Sequence, residues 1–326
     1  FMSYSFFGTC ANDYEQLFGC LETIFSQTIQ PDEIILVNSG EKEIKKVILE
    51  KLSDKKVRLI YIRKNLSRVK ALNTAIDFLN TSYAFRFDTR TRFSKCYAEN
   101  SLKLLNDKYL GVAVVGGVPD IISEKNNPES KLCAEIMNSS YIFFYPKHRN
   151  KKYSGFCSSI YLGCFKTNLL KEIRFNENEA LLSEDSLIIN DFLKKGFKAY
   201  LSSKIKVSYV SRSSFINILK LFNSYGFCRA NTILISKRIF ISPRHFFVFL
   251  ALIFLLITLS RFSLLVFLPL SILLMNIIGE IISSRKIYKI HIPIYATLCQ
   301  FSWILGFLWS LATILSKNKN KSNFID

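Results

Sequence analysis

The chain has 326 residues, of which 49% are apolar, and its 44 Lys and Arg against 25 Asp and Glu give a net charge of +19. A positive excess of this size is typical of proteins that meet nucleic acid, an anionic membrane face or phosphorylated substrates. The basic residues are scattered instead of clustered on one helix or arm, so nucleic acid is not expected as a partner.

The cysteines and the N-terminus indicate a reducing compartment. The eight Cys form no Cys-x-x-Cys pair, and the three His do not lie near them in metal-ligand spacing, which argues against a zinc site. Scattered single Cys are typical of small buried side chains in a cytosolic protein. Residues Phe1–Asn12 lack a basic start followed by a long apolar run. We therefore expect no secretory signal peptide and a cytosolic N-terminal part.

Strand-like and helix-like runs alternate along the first half of the chain. The predicted strands are Ser5–Thr9, Glu33–Val37, Val57–Ile62, Ala84–Phe87 and Val112–Val115, and the predicted helices are Tyr14–Gln27, Glu43–Leu52, Val69–Leu79 and Ser94–Leu105. This alternation on short connections predicts an α/β fold with a mostly parallel sheet covered on both faces. Such sheets bind ligands at the carboxyl ends of their strands, where Asn38, Asp88 and Gly116 fall.

A short helix is predicted within Leu182–Gly196, with Ser183 as its N-cap and Gly196 as its stop. Glu184 and Asp185 fall in its first turn, where carboxylates are favoured by the helix dipole. Around it, the pattern predicts a helix at Lys131–Tyr145, a basic loop at Lys147–Lys152, a strand at Ser158–Phe165, two short strands in Lys198–Val210 and a helix at Phe215–Ser236. The basic loop is either a solvated tip or a cover over phosphates or the membrane surface.

Apolar residues concentrate after residue 245, in three stretches at Phe246–Leu259, Phe262–Ile282 and Ile292–Leu315. The later two are long enough to span a bilayer, whereas the first fits a re-entrant segment or half of a tight hairpin. The basic segments between and after them all favour the cytosolic side, which three full crossings cannot satisfy. The domains predicted are a cytosolic domain at 1–240, a membrane domain of two to three apolar helices at 241–316 and a basic tail at 317–326.

Four stretches resemble motifs of family 2 glycosyltransferases, in that family's order. Gln27–Gly40 is similar to the opening signature, Asn65–Ile76 to the next segment, and Phe85–Phe93 falls where the family carries Asp-x-Asp. Glu184-Asp185, followed by Lys-Lys-Gly-Phe-Lys-Ala-Tyr, resembles the family's Glu-Asp motif.

Two further motifs narrow the resemblance to one branch of the family. Val115-Gly116-Gly117, Tyr225–Arg229 and the apolar C-terminal part are similar to the succinoglycan-biosynthesis-type branch. The resemblance extends from about Tyr4 to Ser316. It implies a Rossmann-like GT-A domain followed by C-terminal transmembrane helices.

The resemblance also implies roles for individual side chains. Asp185 would be the catalytic base, and Glu184 would orient the acceptor or only cap the helix. The residues implied for the nucleotide sugar are Asn38, Arg68, Asn73, Asp88 and Arg229, and those on the acceptor side are Tyr161 and Gly163. Structural interpretations stay open beside these roles: dipole compensation for Glu184-Asp185, a strand-end turn for Asp88 and a solvated helix surface for Arg229.

The chain departs from the family pattern at two positions. Asn38 stands where the family has an acidic residue that contacts the base, and Arg90 stands at the second Asp of Asp-x-Asp. A hard cation neutralises the leaving diphosphate in such enzymes. Either Asp88 binds Mg or Mn with water and the diphosphate, which we expect, or Arg90 and its neighbours replace part of that charge.

Together these features predict an inverting glycosyltransferase of the hexosyltransferase type. It would sit in the inner membrane as a multi-pass protein with its catalytic domain in the cytosol. Its expected partners are a nucleotide-sugar donor, a lipid-linked saccharide acceptor in surface polysaccharide synthesis, membrane lipid and an assembly complex. The alternatives are transfer to polyprenyl phosphate itself and a catalytically inactive membrane scaffold of such a complex.

Overall fold

The computed structural model describes residues 2–52, 57–143, 146–177, 184–235, 267–284 and 291–322. The predicted N-cap Ser183 and the predicted apolar stretch Phe246–Leu259 lie outside the described residues. The chain forms two compact units. The first unit comprises Phe1–Ile122, Lys147–Asn178 and Glu184–Val210, and the second comprises Ser123–Pro146, Glu179–Ser183 and Ser211–Asp326.

The strands that the structure describes all lie in the first unit. They are β1 (Tyr4–Cys10), β2 (Glu33–Asn38), β3 (Arg58–Arg63), β4 (Tyr83–Asp88), β5 (Thr91–Phe93), β6 (Val114–Gly116), β7 (Pro119–Ile122), β8 (Gly155–Phe156), β9 (Cys164–Lys166), β10 (Ala199–Leu201) and β11 (Val207–Val210). The helices of this unit are α1 (Tyr14–Phe25), α2 (Lys45–Leu52), α3 (Arg68–Asp77), α4 (Tyr97–Leu105), α6 (Thr167–Ile173) and α7 (Glu184–Lys194). Those of the second unit are α5 (Pro128–Asn138), α8 (Phe215–Ile235), α9 (Phe267–Ser284) and α10 (His291–Ser322).

The main sheet has, in the part of the chain that the structure describes, eight strands in the order β3-β2-β1-β4-β9-β6-β10-β8. β1 pairs in parallel with β2 and β4, β2 with β3, and β6 with β10, whereas β8 and β9 run antiparallel to their neighbours. The predicted α/β fold with a mostly parallel sheet is therefore confirmed. A small second sheet has the order β5-β11-β7.

The sheet is covered on both faces because its strand residues alternate between two apolar clusters. Phe6 of β1 packs in one cluster with Leu21 of α1 and Leu102 of α4. Phe7, its neighbour, packs in the other with Ile76 of α3 and Phe192 of α7. Each fully buried side chain of this size stabilises the fold by about 1.5–3 kcal/mol. A shift of one residue along a strand would move these side chains to the opposite face, so the alternation fixes the face that each strand residue occupies.

Two predicted elements differ from the structure for visible reasons. The predicted strand at Ser158–Phe165 is reduced to β9, because Leu162 and Gly163 have φ values of 60° and 94° that an extended strand does not allow. The predicted helix at Lys131–Tyr145 begins at Pro128 and ends at Asn138, and a 3₁₀ turn, Ser140–Phe143, follows it. Asn127 caps the helix by accepting from the Ser130 N–H at 2.8 Å.

The parallel register brings several strand ends to one edge of the sheet. Thr9 of β1 pairs with Asp88 of β4, and Cys10 of β1 pairs with Asn38 of β2. The polar residues that follow these strands therefore meet on the same side, where open α/β sheets bind their ligands.

In the second unit, α8 and α10 pack with their backbones in close contact. A Cβ on Gly226 of α8 would lie 1.9 Å from the carbonyl oxygen of Trp303, and one on Gly306 of α10 would lie 2.0 Å from that of Asn223. Only glycine fits at either position. The Tyr225–Arg229 motif thus contains a residue that the packing of α8 against α10 requires.

The described C-terminal helices include one, His291–Ile314 within α10, that is long and apolar enough to cross a membrane by length and composition. Leu270–Ile281 within α9 is a shorter apolar helix. These two coincide with the second and third predicted apolar stretches, but only one of them meets the length for a full crossing among the residues described. More than one membrane-spanning helix is therefore not shown.

Candidate active site

Five charged side chains of the first unit meet at the edge of the sheet where β4 ends, and we call them the arginine–carboxylate cluster: Arg68, Arg86, Asp88, Glu184 and Asp185. Arg68 is the first residue of α3, Arg86 and Asp88 lie on β4, and the two remaining carboxylates begin α7. The first turn of a helix favours carboxylates, since its unpaired N–H groups carry a partial positive charge.

The cluster is a continuous chain of ion pairs. Arg68 donates from Nη2 to Asp88 Oδ2 at 2.8 Å, and its Nε lies 2.6 Å from Glu184 Oε1. Arg86 donates from Nη2 to the same Glu184 oxygen at 2.7 Å and from Nη1 to Asp185 Oδ1. The two arginines thereby tie the end of β4 and the start of α3 to the start of α7.

Arg86 is the buried centre of this arrangement. It lies between Phe85 and Phe87 on β4, and the strand alternation turns those two rings to one face and Arg86 to the other. Its side chain is only 1% exposed, and its guanidinium lies over the Phe175 ring, 5.3 Å from the ring centroid. A guanidinium buried to this degree needs carboxylate partners, because an unpaired buried charge costs several kcal/mol.

A turn in the backbone supplies Asp185 with a second donor. The N–H of Leu162 donates to Asp185 Oδ2 at 3.2 Å. Leu162 has a φ of 60°, and a hydrogen bond from the Gly163 N–H to the Tyr161 carbonyl at 2.8 Å closes a three-residue turn around it. The Gly163 carbonyl in turn accepts from the Arg86 N–H at 3.1 Å. A left-handed φ at a leucine is a strained conformation of the kind found at functional sites.

The two neighbouring carboxyls are driven to opposite pKa shifts. Burial raises the pKa of Glu184, but the charges of Arg68 and Arg86 outweigh that effect and lower it below its usual value. Burial, together with the negative charge of Glu184, raises the pKa of Asp185 despite the contact with Arg86. Glu184 is therefore held as a carboxylate, whereas Asp185 is the group suited to take up a proton.

Asp88 is the third carboxylate of the cluster, and its contacts do not fit a metal ion. Its Oδ2 accepts from Arg68 and its Oδ1 accepts from the Thr89 N–H, both at 2.8 Å. The pKa of Asp88 is lowered, since Arg68 and Arg86 outweigh the opposing effect of burial. Arg90, at the second position of the motif, donates from Nε to Asp13 Oδ2 at 2.7 Å. No group of three His, Cys, Asp or Glu that could hold a metal occurs among the residues the structure describes.

Asn38 is fully buried at the end of β2, and its side-chain hydrogen bonds go to its own surroundings. Its amide nitrogen donates to the Lys42 carbonyl and to the Tyr61 hydroxyl, both at 2.7 Å, and its oxygen accepts from the Gly40 N–H at 3.0 Å. These bonds shape the turn after β2. A contact with a nucleotide base stays a prediction.

Asn73 also makes its hydrogen bonds outside the cluster. Its side chain donates to the Phe175 carbonyl at 2.8 Å and to Glu177 Oε1 at 2.9 Å, and accepts from the Phe175 N–H at 3.0 Å. It thereby fixes the residue whose ring lies beneath Arg86. Its predicted part in nucleotide-sugar binding is untested, whereas its role in holding Phe175 is visible.

The remaining predicted residues fall in two places. Tyr161 shares a hydrogen bond of 2.9 Å with the Thr91 hydroxyl, and burial together with the charge of Asp88 raises its pKa. Gly163 belongs to the turn that carries the Leu162 N–H. Arg229 lies on α8 in the second unit, where burial lowers its pKa.

The sequence reasoning missed Arg86 and the Leu162 N–H. The signal for Arg86 was present, because one arginine stands in the otherwise apolar run Tyr83–Phe87. A charge inside a strand that is buried on both faces requires a counter-charge. A main-chain donor aimed by a strained turn leaves no such signal.

The fold and the cluster define an α/β protein of the GT-A type, with carboxylates gathered where its parallel strands end. A sequence model described as "Glycosyl transferase family 2" matches residues 6–171, which is half of the chain, and the chain belongs to that family. The match includes Arg68, Arg86 and Asp88 and ends before Glu184 and Asp185.

Solved structures show a similar fold at low sequence identity. The mannosyltransferase PcManGT from Pyrobaculum calidifontis, in complex with GDP-Man and Mn²⁺, is 14% identical with a TM-score of 0.58, covering 94% of this chain and 86% of that one. S. aureus TarS 1-349 is 15% identical with a TM-score of 0.46, covering 71% of this chain and 66% of that one. The same fragment in complex with UDP-GlcNAc is 16% identical, with a TM-score of 0.46 and coverages of 71% and 67%. A longer TarS structure is covered over 40% of its length. No curated protein matches the sequence.

Proposed function

We propose that the chain is an inverting glycosyltransferase that moves a sugar from a nucleotide-sugar donor to a hydroxyl group of its acceptor. The observation that carries this proposal is the pair Glu184-Asp185. One carboxylate is held ionised by two guanidinium groups, and its neighbour has a raised pKa. This is the asymmetry that a general base beside a fixed negative charge requires.

The proposed reaction is a single displacement. Asp185 takes the proton of the acceptor hydroxyl as that oxygen forms a bond to the anomeric carbon. The bond from the anomeric carbon to the diphosphate oxygen breaks, and its electron pair leaves with the nucleoside diphosphate. The transition state is oxocarbenium-like, and attack opposite the leaving group inverts the anomeric centre. Arg86 and the Leu162 N–H orient the Asp185 carboxyl for this step.

A sugar nucleotide as the donor is supported by the family and by a similar structure. The mannosyltransferase PcManGT, which has a similar fold, was solved in complex with GDP-Man. Since Asp88 stands at the end of the strand next to β1 in a sheet of this type, we place the donor at that edge. The Mg or Mn predicted at Asp88 enters none of the steps above.

We further propose a membrane-associated acceptor, a lipid-linked saccharide of a surface polysaccharide, as in the succinoglycan-biosynthesis-type branch. The support is the apolar character of α9 and α10. Large apolar side chains are exposed along one stripe of α9 at helical spacing, namely Leu270, Leu274, Met275, Ile278 and Ile281. Such a stripe suits contact with lipid. The proposed location is the inner membrane, with the domain at 1–240 in the cytosol.

The test is turnover of a panel of nucleotide sugars by detergent-purified protein, comparing wild type with Asp185→Asn. Asp191→Asn is the matched control, since it makes the same change two turns later on α7. We expect nucleoside diphosphate release from wild type and the control, and at least a hundredfold less from Asp185→Asn. Equal turnover by all three proteins would remove Asp185 as the base.

The acceptor is tested in the same assay with three arms: lipid-linked saccharide, polyprenyl phosphate alone and no acceptor. Sugar transfer only to the saccharide supports the proposed acceptor, and transfer to polyprenyl phosphate alone supports the first alternative. If no donor is bound or turned over and Asp185→Asn leaves the cellular polysaccharide unchanged, the scaffold alternative replaces the enzyme.

A further inference from the structure

The strand end that carries Asp88 differs by two charge units from an Asp-x-Asp pair. Two aspartates would bring a charge of −2, whereas Asp88 and Arg90 together bring none. A change of +2 is the charge that one divalent cation adds to such a pair. Arg90 itself pairs with Asp13 Oδ2 at 2.7 Å, so position 90 offers a guanidinium and no carboxylate to a metal ion.

The contacts of Asp88 also favour arginine side chains over a metal ion as the source of positive charge at this strand end. Its two oxygens accept from the Arg68 guanidinium and from the Thr89 N–H, so each already has a donor within the chain. Arg68 also contacts Glu184, and so it joins the end of β4 to the start of α7 as a bridging cation would. Arg86 holds a second positive charge on the same Glu184 oxygen. A divalent cation beside these two guanidinium groups would be repelled by both.

Arg68 is also placed to bind an anion. Its ion pairs use Nη2 and Nε, and its side chain is 42% exposed, in contrast with the fully buried Arg86. Within the part of the chain that the structure describes, Nη1 has no hydrogen-bond partner. A guanidinium with a free edge donates to phosphate oxygens in a planar fork, which an ammonium group cannot do.

We propose that Arg68 binds the diphosphate of the donor, so that donor binding needs no divalent cation. This inference rests on the proposed function, because it concerns the donor site of the same enzyme. It replaces the expectation of Mg or Mn at Asp88.

The experiment is isothermal titration of the full-length protein in detergent with UDP and with GDP, each in EDTA and in Mn²⁺. We expect the better-bound nucleotide to show less than about a twofold difference between the two conditions. Arg68→Met should weaken its binding by about tenfold to a hundredfold in both, since a charged hydrogen bond to the diphosphate is lost. Arg58→Met is the matched control, because Arg58 is an exposed arginine at the start of β3, the opposite end of the strand from this edge.

A gain-of-function variant supplies a second, independent readout. Arg90→Asp recreates Asp-x-Asp, and we expect nucleotide binding by this variant to require Mn²⁺. Electron paramagnetic resonance of added Mn²⁺ without nucleotide should show a bound ion in Arg90→Asp and none in wild type. If Arg90→Asp does not fold, the wild-type titrations and the wild-type Mn²⁺ spectrum decide.

The outcomes separate this inference from the proposed function. Nucleotide binding by wild type that is lost in EDTA and restored by Mn²⁺ overturns the inference and leaves the glycosyltransferase intact. Unchanged affinity in Arg68→Met overturns it as well. If neither UDP nor GDP binds in either condition and the panel of nucleotide sugars shows no turnover, the proposed function itself fails, and the inference fails with it.

Discussion

Replacing Arg86 by Met removes the guanidinium that joins Glu184 and Asp185 while keeping an unbranched apolar side chain on β4. Removing one partner of a buried ion pair costs about 3–5 kcal/mol, because the other charge stays buried without its partner. Glu184 keeps its contact with Arg68 at 2.6 Å, and Asp185 can take up a proton. We therefore expect a loss near the lower limit, about 3 kcal/mol, against a typical total of about 5–15 kcal/mol.

The loss in Arg86→Met should depend on pH in a defined direction. The pKa of Asp185 is already raised in the folded protein, and without Arg86 it rises further. A carboxyl with a raised folded pKa binds protons more tightly in the folded state, so its contribution falls as pH increases through its unfolded and folded values. The variant should thus be closest to wild type in mild acid and furthest from it at neutral pH.

The assay combines thermal unfolding of the full chain by circular dichroism over a pH series with the pH profile of kcat/KM. The acid limb of that profile reports the base of the free enzyme. We expect this acid limb to move to higher pH in Arg86→Met. Arg86→Lys keeps a positive charge but loses the two-pronged guanidinium, so its acid limb should lie between those of wild type and Arg86→Met. Arg58→Met, which removes a 68% exposed arginine at the opposite end of β3, should leave the acid limb where wild type has it. If Arg86→Met is as stable as wild type and its acid limb does not move, Arg86 does not position the Asp185 carboxyl.

Two further predictions concern residues that touch the cluster. Gly163→Ala should lower the melting temperature and the activity together, because the φ of 94° is unfavourable for alanine and its Cβ would lie 2.5 Å from the Phe165 ring; a stable, fully active variant would show that the turn tolerates a side chain. Asp88→Asn should flatten the acid side of the stability profile. The pKa of Asp88 is lowered, so its stabilising contribution is present above its unfolded value of about 3.9 and is lost as pH falls. An acid transition in Asp88→Asn identical to that of wild type would contradict this assignment.

The fold was accessible from sequence because its determinants are local. Strands such as Glu33–Asn38 read as short apolar runs, and the turns and helices between them recur at regular intervals. The alternation of strands and helices along the chain predicts parallel pairing. Parallel pairing in turn places Asn38 and Asp88 at one edge of the sheet, and no long-range contact has to be known for this prediction. The reduced strand at Cys164–Lys166 was not accessible in this way. The strand is short because Leu162 and Gly163 have positive φ values, and the pattern of apolar residues does not predict these values.

The site could be predicted from sequence only where its residues lie at the ends of strands and helices. Glu184 and Asp185 stand together at a helix start, and the motif order points to them. Arg86 belongs to the same site, but its partners are 98 and 99 positions away in the sequence. The pairing becomes visible only when β4 and α7 are packed against each other.

The position of Arg86 nevertheless follows a rule that can be applied before a structure is known. A strand in the middle of a covered parallel sheet is buried on both faces, so a charged residue inside it must meet an opposite charge from the helix layer. The helix layer of this chain offers two adjacent carboxylates at the start of α7, and both of them contact the arginine. The rule does not apply to Asn73, whose neutral amide donates to the Phe175 carbonyl and to Glu177 Oε1 and accepts from the Phe175 N–H. A buried strand arginine is thus a stronger indication of where the carboxylates of a site converge than a polar residue on the helix beside it.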